Sequence, residues 1–147
     1  MRCVDIYYKP ISESGKQMIN YVCKYAPVEL FKGFGQECAV LEEMPENFDK
    51  SDKIAHANLC GFGKSVIQAV LEGKVEELVL VNCCDSMRRV YDIIENTKKC
   101  KFLYMLDLPH EDNECENIKF AQSIIRLKNA YERYSHRTFD RELFIKS

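Results

Sequence analysis

Strand-like and helix-like segments alternate along this chain. That alternation predicts an α/β fold: a parallel sheet of about four strands with helices on both faces, a flavodoxin-like or Rossmann-like three-layer sandwich. Two observations carry the prediction. The run LVLVN at 78–82 opens with four consecutive apolar residues, as a strand covered on both faces should. It is followed at 85–96 by a segment in which Met87, Val90, Ile93 and Ile94 recur at helical spacing, and then by KFLYMLDLP at 101–109, which reads as another strand.

The remaining elements come in order. Residues 2–8, RCVDIYY, are rich in strand formers and are predicted as the first strand. Residues 14–25 read as a helix. Ser14 and Gln17 stand at capping-box spacing, and Met18, Val22 and Tyr25 repeat at helical intervals with Ile19 and Cys23 beside them. Pro27 stops that helix and starts a short second one, VELFKGFG, ending at Gly35. CAVLEE at 38–43 is the second strand and MPENFDKSDK a polar loop. A helix is expected over 61–72, with Phe62, Val66 and Val70 along one side and Gly73 as its stop. A long amphipathic helix is expected over 114–134, its apolar side carrying Ile118, Ala121, Ile125, Tyr131 and Tyr134. Residues 1–135 form a single α/β lobe in this reading. Residues 136–147 are a tail, or the start of a link to a second lobe, with Leu143, Phe144 and Ile145 beginning something apolar.

Composition narrows the function classes. A chain of 147 residues, 46% hydrophobic and 30% charged, is long enough for one buried core. Its net charge of -2, with Lys and Arg scattered among acids, gives no support for nucleic-acid binding. No apolar run approaches the ~20 residues that span a bilayer, and the N-terminus lacks the apolar stretch of a secretory signal. The expected location is cytoplasmic. Eight cysteines would suit a disulfide framework in a secreted protein, but cytosolic thiols stay reduced, and no Cys-x-x-Cys occurs. Most of them read as small buried hydrophobes.

In open α/β sheets, ligands bind beyond the carboxyl ends of the strands. Cys83 and Cys84 fall at that edge after the third strand, and His110 falls there after the fourth. Cys60 opens a helix that can return to the same edge. At a helix N-terminus, unpaired N–H groups and the helix dipole stabilise a thiolate, the form that binds iron. Cys60 precedes GFGKSVIQ and Cys84 precedes DSMRRVYD, so both are candidate ligands. Gly61 and Gly63 would let backbone approach a bulky inorganic group. Adjacent side chains seldom converge from extended backbone, so one of Cys83 and Cys84 is expected to ligate. Cys84 is favoured, Cys83 is the substitute, and the alternative is that both are core thiols. NLCGFGKS fails as a phosphate loop because Asn58 stands where that pattern needs glycine. Arg88 and Arg89 suit either an anionic ligand such as phosphate or a solvated helix face. His110 suits a proton donor or a hydrated loop residue. Tyr7, Tyr8, Tyr21 and Tyr25 read as core and rim.

The succession YVCKYAPVELFKGFG, HANLCGFGKSVIQAVLEG, ELVLVNCCDSMRRVYDII and FLYMLDLPH resembles the 2-hydroxyacyl-CoA dehydratase component D family, which includes benzoyl-CoA reductase subunits and double-cubane-cluster proteins. The resemblance implies a two-lobed subunit with a [4Fe–4S]-type cluster held between the lobes by three cysteines. The first two match Cys60 and Cys84, and the third belongs to a second lobe. Cys100 and Cys115 do not fit that third position. It further implies an ATP-hydrolysing activator protein that delivers one low-potential electron, and an acyl-CoA substrate that loses water through a ketyl radical. The chain is thus expected to be the iron–sulfur-binding lobe of such a dehydratase, inactive alone and completed by a second lobe or subunit. A CoA-thioester or small-molecule reductase of the same family, and a non-catalytic binding or assembly module without a cluster, are the alternatives. A thiol-redox pair of Cys83 and Cys84 ranks last, because adjacent cysteines close only a strained ring.

Overall fold

The computed structural model describes residues 18–42 and 44–147, so the strand expected at 2–8, with its Tyr7 and Tyr8, and the pair Ser14 and Gln17 lie outside it. Among the described residues, four strands form one parallel sheet: β1 (Ile19–Tyr21), β2 (Cys38–Val40), β3 (Glu77–Val81) and β4 (Phe102–Leu106), in the order β2-β1-β3-β4. The helices are α1 (Val28–Lys32), α2 (Gly61–Leu71), α3 (Asp85–Thr97), α4 (Glu114–Ser135) and α5 (Arg141–Ile145), with a 3₁₀ turn at Ser51–Lys53 in the polar loop.

The expected α/β sandwich is present. Strand β3 is buried at all five positions. Its side chains alternate between two cores, as the period of a strand requires. Val79 and Val81 join Ile19, Phe31, Leu106, Leu127 and Tyr131 beneath α1 and α4. Leu78 and Leu80 join Val66, Ile67, Val70, Val90 and Ile94 beneath α2 and α3. Gly73, with φ of +76°, ends the α2 segment as expected. No helix among the described residues is long and apolar enough to cross a membrane.

Three expectations are corrected. The segment expected as a helix over 14–25 contains β1, with Asn20 paired to Ala39 on one side and Leu78 on the other. Ile19 is fully buried there. Sheet pairing on both sides overrides a helical periodicity of only a few residues, since local propensity is a weak prior. Phe62 does not line the core with Val66 and Val70; it is 39% exposed in the first turn of α2. Helix α4 is rotated relative to its expected apolar side. Ser123, Leu127 and Tyr131 are buried, whereas Ile118 and Ile125 are more than half exposed.

The α4 packing is anchored by aromatic rings and one acid. Tyr131 meets Phe31, Phe34 and Phe102 edge-on at centroid distances of 5.1–5.2 Å. Its hydroxyl and that of Tyr134 donate to the Glu77 carboxylate at 3.3 and 2.9 Å. Burial raises the Glu77 pKa above the ordinary carboxylate range, against the opposing pull of the two tyrosine hydrogen bonds and the Arg137 charge. Beyond α4, residues 136–147 turn back onto α1. Phe139 packs on Phe34 at 5.2 Å, the Asp140 N–H donates to the Gly33 carbonyl at 2.7 Å, and Arg137 donates to Gln36 Oε1 at 2.8 Å.

This packing can be tested at two positions. A native pKa raised above the unfolded value means that protonation favours the folded state, so the Glu77 contribution falls as pH rises through that raised value. Glu77→Gln keeps an acceptor for the tyrosines but cannot ionise. Urea denaturation at about pH 4 and about pH 7 should show wild type losing stability relative to Glu77→Gln toward neutrality. At Gly33 a Cβ would run into the Phe139 ring. Gly33→Ala should unseat residues 136–147, seen as faster proteolytic cleavage there while the sheet core stays protected.

Candidate functional site

All four strands point the same way, so the residues just past their ends share one edge. From β1 the chain leads outward to β2, and from β3 it leads the opposite way to β4. The crevice at this change of direction is where ligands bind in open α/β sheets. Cys23 comes after β1 and Cys83 after β3, on either side of it. Asn82 pins the β3 and β4 ends together. Its N–H donates to Leu106 O at 3.0 Å and its Nδ2 to Asp107 Oδ1 at 2.6 Å, while its Oδ1 accepts from the Leu108 N–H at 2.9 Å.

Cys60 is the N-cap of α2, with extended backbone at φ −61° and ψ 151°. Its Sγ accepts the Gly63 N–H at 3.3 Å, the bond by which a helix start stabilises negative charge on sulfur. A Cβ at Gly63 would stand 3.0 Å from Val90 Cγ2 of α3 and 3.5 Å from Cys60 Sγ. This glycine therefore lets the first turn of α2 close on both α3 and the sulfur. A Cβ at Gly61 would meet nothing within 4 Å, so the space beside Cys60 is open.

Cys84 is the N-cap of α3, also with extended backbone. Its sulfur accepts no hydrogen bond from the α3 N–H groups, unlike that of Cys60. Its neighbour Cys83 is close enough to both Cys84 and Cys23 to feel their charge. Partial burial, and then the neighbouring charges of Cys23 and Cys84, push the Cys83 thiol up to about 11. Cys83 is thus held as a thiol and is the weaker choice for an anionic ligand. Cys60, Cys83, Cys84 and Cys115 are exposed, whereas Cys23, Cys38 and Cys100 are half-buried. Burial drives Cys38 to about 12 and Cys100 to about 11, the behaviour of core thiols.

Two clefts flank the start of α3. One, of about 480 Å³, lies against the loop before α2 and includes His56, Leu59, Asp85 and Arg89. The other, of about 340 Å³, lies between α3, the end of β4 and α4, and includes Arg88, His110 and Arg126. The backbone N–H of His110 donates to Glu116 Oε2 at 3.3 Å. Among the described residues, no three or more His, Cys, Asp or Glu side chains are placed to hold a single metal ion. A four-iron cluster makes a different demand, since each cysteine binds its own iron and the sulfurs stand further apart.

A sequence profile of the 2-hydroxyglutaryl-CoA dehydratase D-component matches residues 23–147, a span that begins at Cys23 and takes in every thiol described above. The chain belongs to this family. A search among curated proteins returned no match. As a member of the D-component family, the chain is a dehydratase-family component. Sequence reasoning misses Cys23, because helical periodicity hides the strand that carries it. With a strand ending at Tyr21 before the Pro27 stop, the same residues bring Cys23 to the edge that holds Cys83.

Thiol reactivity checks this sorting. At neutral pH, a thiol with a pKa near 11 is ionised in on the order of one molecule in 10⁴. Alkylation followed by peptide mass spectrometry should label the exposed Cys60, Cys84 and Cys115 first, with Cys83 lagging despite its exposure and Cys38 and Cys100 reacting only on unfolding.

Proposed function

We propose that this D-component chain is the lobe that supplies Cys60 and Cys84 to a [4Fe–4S]-type cluster of a 2-hydroxyacyl-CoA dehydratase, and that a further cysteine comes from a second lobe or subunit. The observation that carries the reading is that two exposed cysteines are the N-caps of α2 and α3, neighbouring helices that close on each other where Gly63, in the first turn of α2, meets Val90, in the second turn of α3. The donor set fits the group. Thiolates are the usual ligands of such clusters, and helix starts favour them.

The chain's own residues have separate tasks in this reading. Cys60 and Cys84 are the iron ligands. The Gly63 N–H holds the Cys60 sulfur in place and offsets part of its charge. Cys84 has no bond to its own helix that would have to break before it met iron. Gly61 leaves room beside Cys60. Cys83, kept protonated by partial burial and its neighbours, stands beside Cys84 without ligating. When bound, the cluster would supply one-electron transfer to a CoA thioester, with the electron delivered by an ATP-hydrolysing activator protein. Tyr25, Met44 and Phe62 are exposed, and a complementary lobe covering them would keep water from the site.

Anaerobic reconstitution with iron and sulfide, in the presence of the complementing lobe, tests the proposal. Iron-dependent visible absorbance is expected in the wild type, with severe loss in Cys60→Ser and Cys84→Ala and no loss in Cys38→Ser or Cys100→Ser. Full absorbance in Cys84→Ala would remove the basis of the assignment.

A further inference from the structure

The second cleft beside α3 carries charges that the cysteine reading does not use. It opens at the carboxyl edge of β3 and β4 and is lined in part by Asn82, Arg88, Asp107, Lys119 and Arg126. Of its acids, Glu116 is paired with Lys119 at 2.7 Å and accepts the His110 N–H at 3.3 Å, while Asp107 accepts the neutral Asn82 amide at 2.6 Å and keeps its charge. The two guanidinium groups are not matched in this way. Arg126 donates to Ser123 Oγ at 2.8 Å and reaches the Tyr104 hydroxyl, both neutral groups. Arg88 has no hydrogen-bond or ion-pair partner among the described residues.

With Glu116 and Lys119 paired, two guanidiniums and one carboxylate remain on the cleft, so its lining is net positive and an anion there would offset the excess. Arginine presents N–H donors in a planar fork that matches an oxyanion with two parallel hydrogen bonds. Arg88 lies in the first turn of α3, where the helix dipole adds to the attraction for negative charge. The lining is mainly polar, with Leu108, Pro109 and Phe120 among it, and a volume of about 340 Å³ leaves room for more of a small molecule than its charged end. We infer that this cleft binds the oxyanion end of a small molecule, a phosphoryl or carboxylate group, between Arg88 and Arg126. The inference stands apart from the iron–sulfur proposal, because neither guanidinium depends on the cysteines.

The test is calorimetric titration of the full chain with ADP, inorganic phosphate and succinate, together with the side-chain Nε–Hε signals of Arg88 and Arg126. Saturable binding that shifts both signals is expected. Arg88→Gln and Arg126→Gln should each weaken it at least about tenfold, as loss of a charge-assisted hydrogen bond does. Arg89→Gln, on the other cleft, should leave it unchanged. Arg88 is exposed, so its variant should fold, and far-UV circular dichroism checks this. Binding of ADP and phosphate without succinate assigns a phosphoryl ligand, and the reverse assigns a carboxylate. The inference fails if none of the three binds, or if binding survives both arginine changes.

Discussion

Strand β3 is the constraint on which the rest of this molecule depends. It has a parallel partner on each side, β1 and β4, and helices over both faces, so that all five residues are buried. Such a strand has nowhere to place a polar side chain except under a partner, and Glu77 obeys this rule through the hydroxyls of Tyr131 and Tyr134. The same bonds fasten α4 to the sheet. One strand therefore sets the two cores, the seat of the longest helix and the point at which the chain leaves the sheet. Asn82, Cys83, Cys84 and α3 all take their positions from that exit point.

The cysteines are divided by their surroundings. Cys38 and Cys100 are half-buried, and desolvation raises both, so they behave as apolar filler. Cys60 and Cys84 are exposed at helix starts, but they are held differently. Cys60 is bonded to its own helix, whereas Cys84 makes no such bond to its helix. Partial burial, and then the nearness of Cys23 and Cys84, keeps Cys83 protonated.

Much of the fold was legible because β3, α3 and β4 carry strong local patterns that agree with their tertiary surroundings. Continuous apolarity marked β3, a 3.6-residue period marked α3, Gly73 marked the end of the α2 segment, and Pro27 marked the start of α1, though not the end of a helix before it. Strand β1 was not legible. It is three residues long, contains Asn20, and owes its conformation to partners that are distant in sequence. The facing of α4 was missed for a related reason. Its buried stripe includes Ser123, and its exposed side includes Ile118 and Ile125, so hydrophobicity alone points the helix the wrong way. At the site, the helix-start positions of Cys60 and Cys84 could be read from their flanks. The contact of Cys23 with Cys83 could not, because it depends on β1 lying beside β3.

Asn82 shows how closely the two candidate regions are tied. Its three hydrogen bonds fix the ends of β3 and β4, and one of them occupies the Asp107 carboxylate. That single side chain sets the point from which Cys83 and Cys84 leave the sheet. It also keeps an acid engaged at the mouth of the cleft lined by Arg88 and Arg126. Helix α3 then carries Cys84 at its N-cap and Arg88 within its first turn. A shift of α3 by a fraction of a helical turn would move both groups together, because they ride on one rigid element. Were α3 to have a second position, a ligand at Arg88 that preferred one of the two would carry Cys84 with it, and the converse effect would be equal in size.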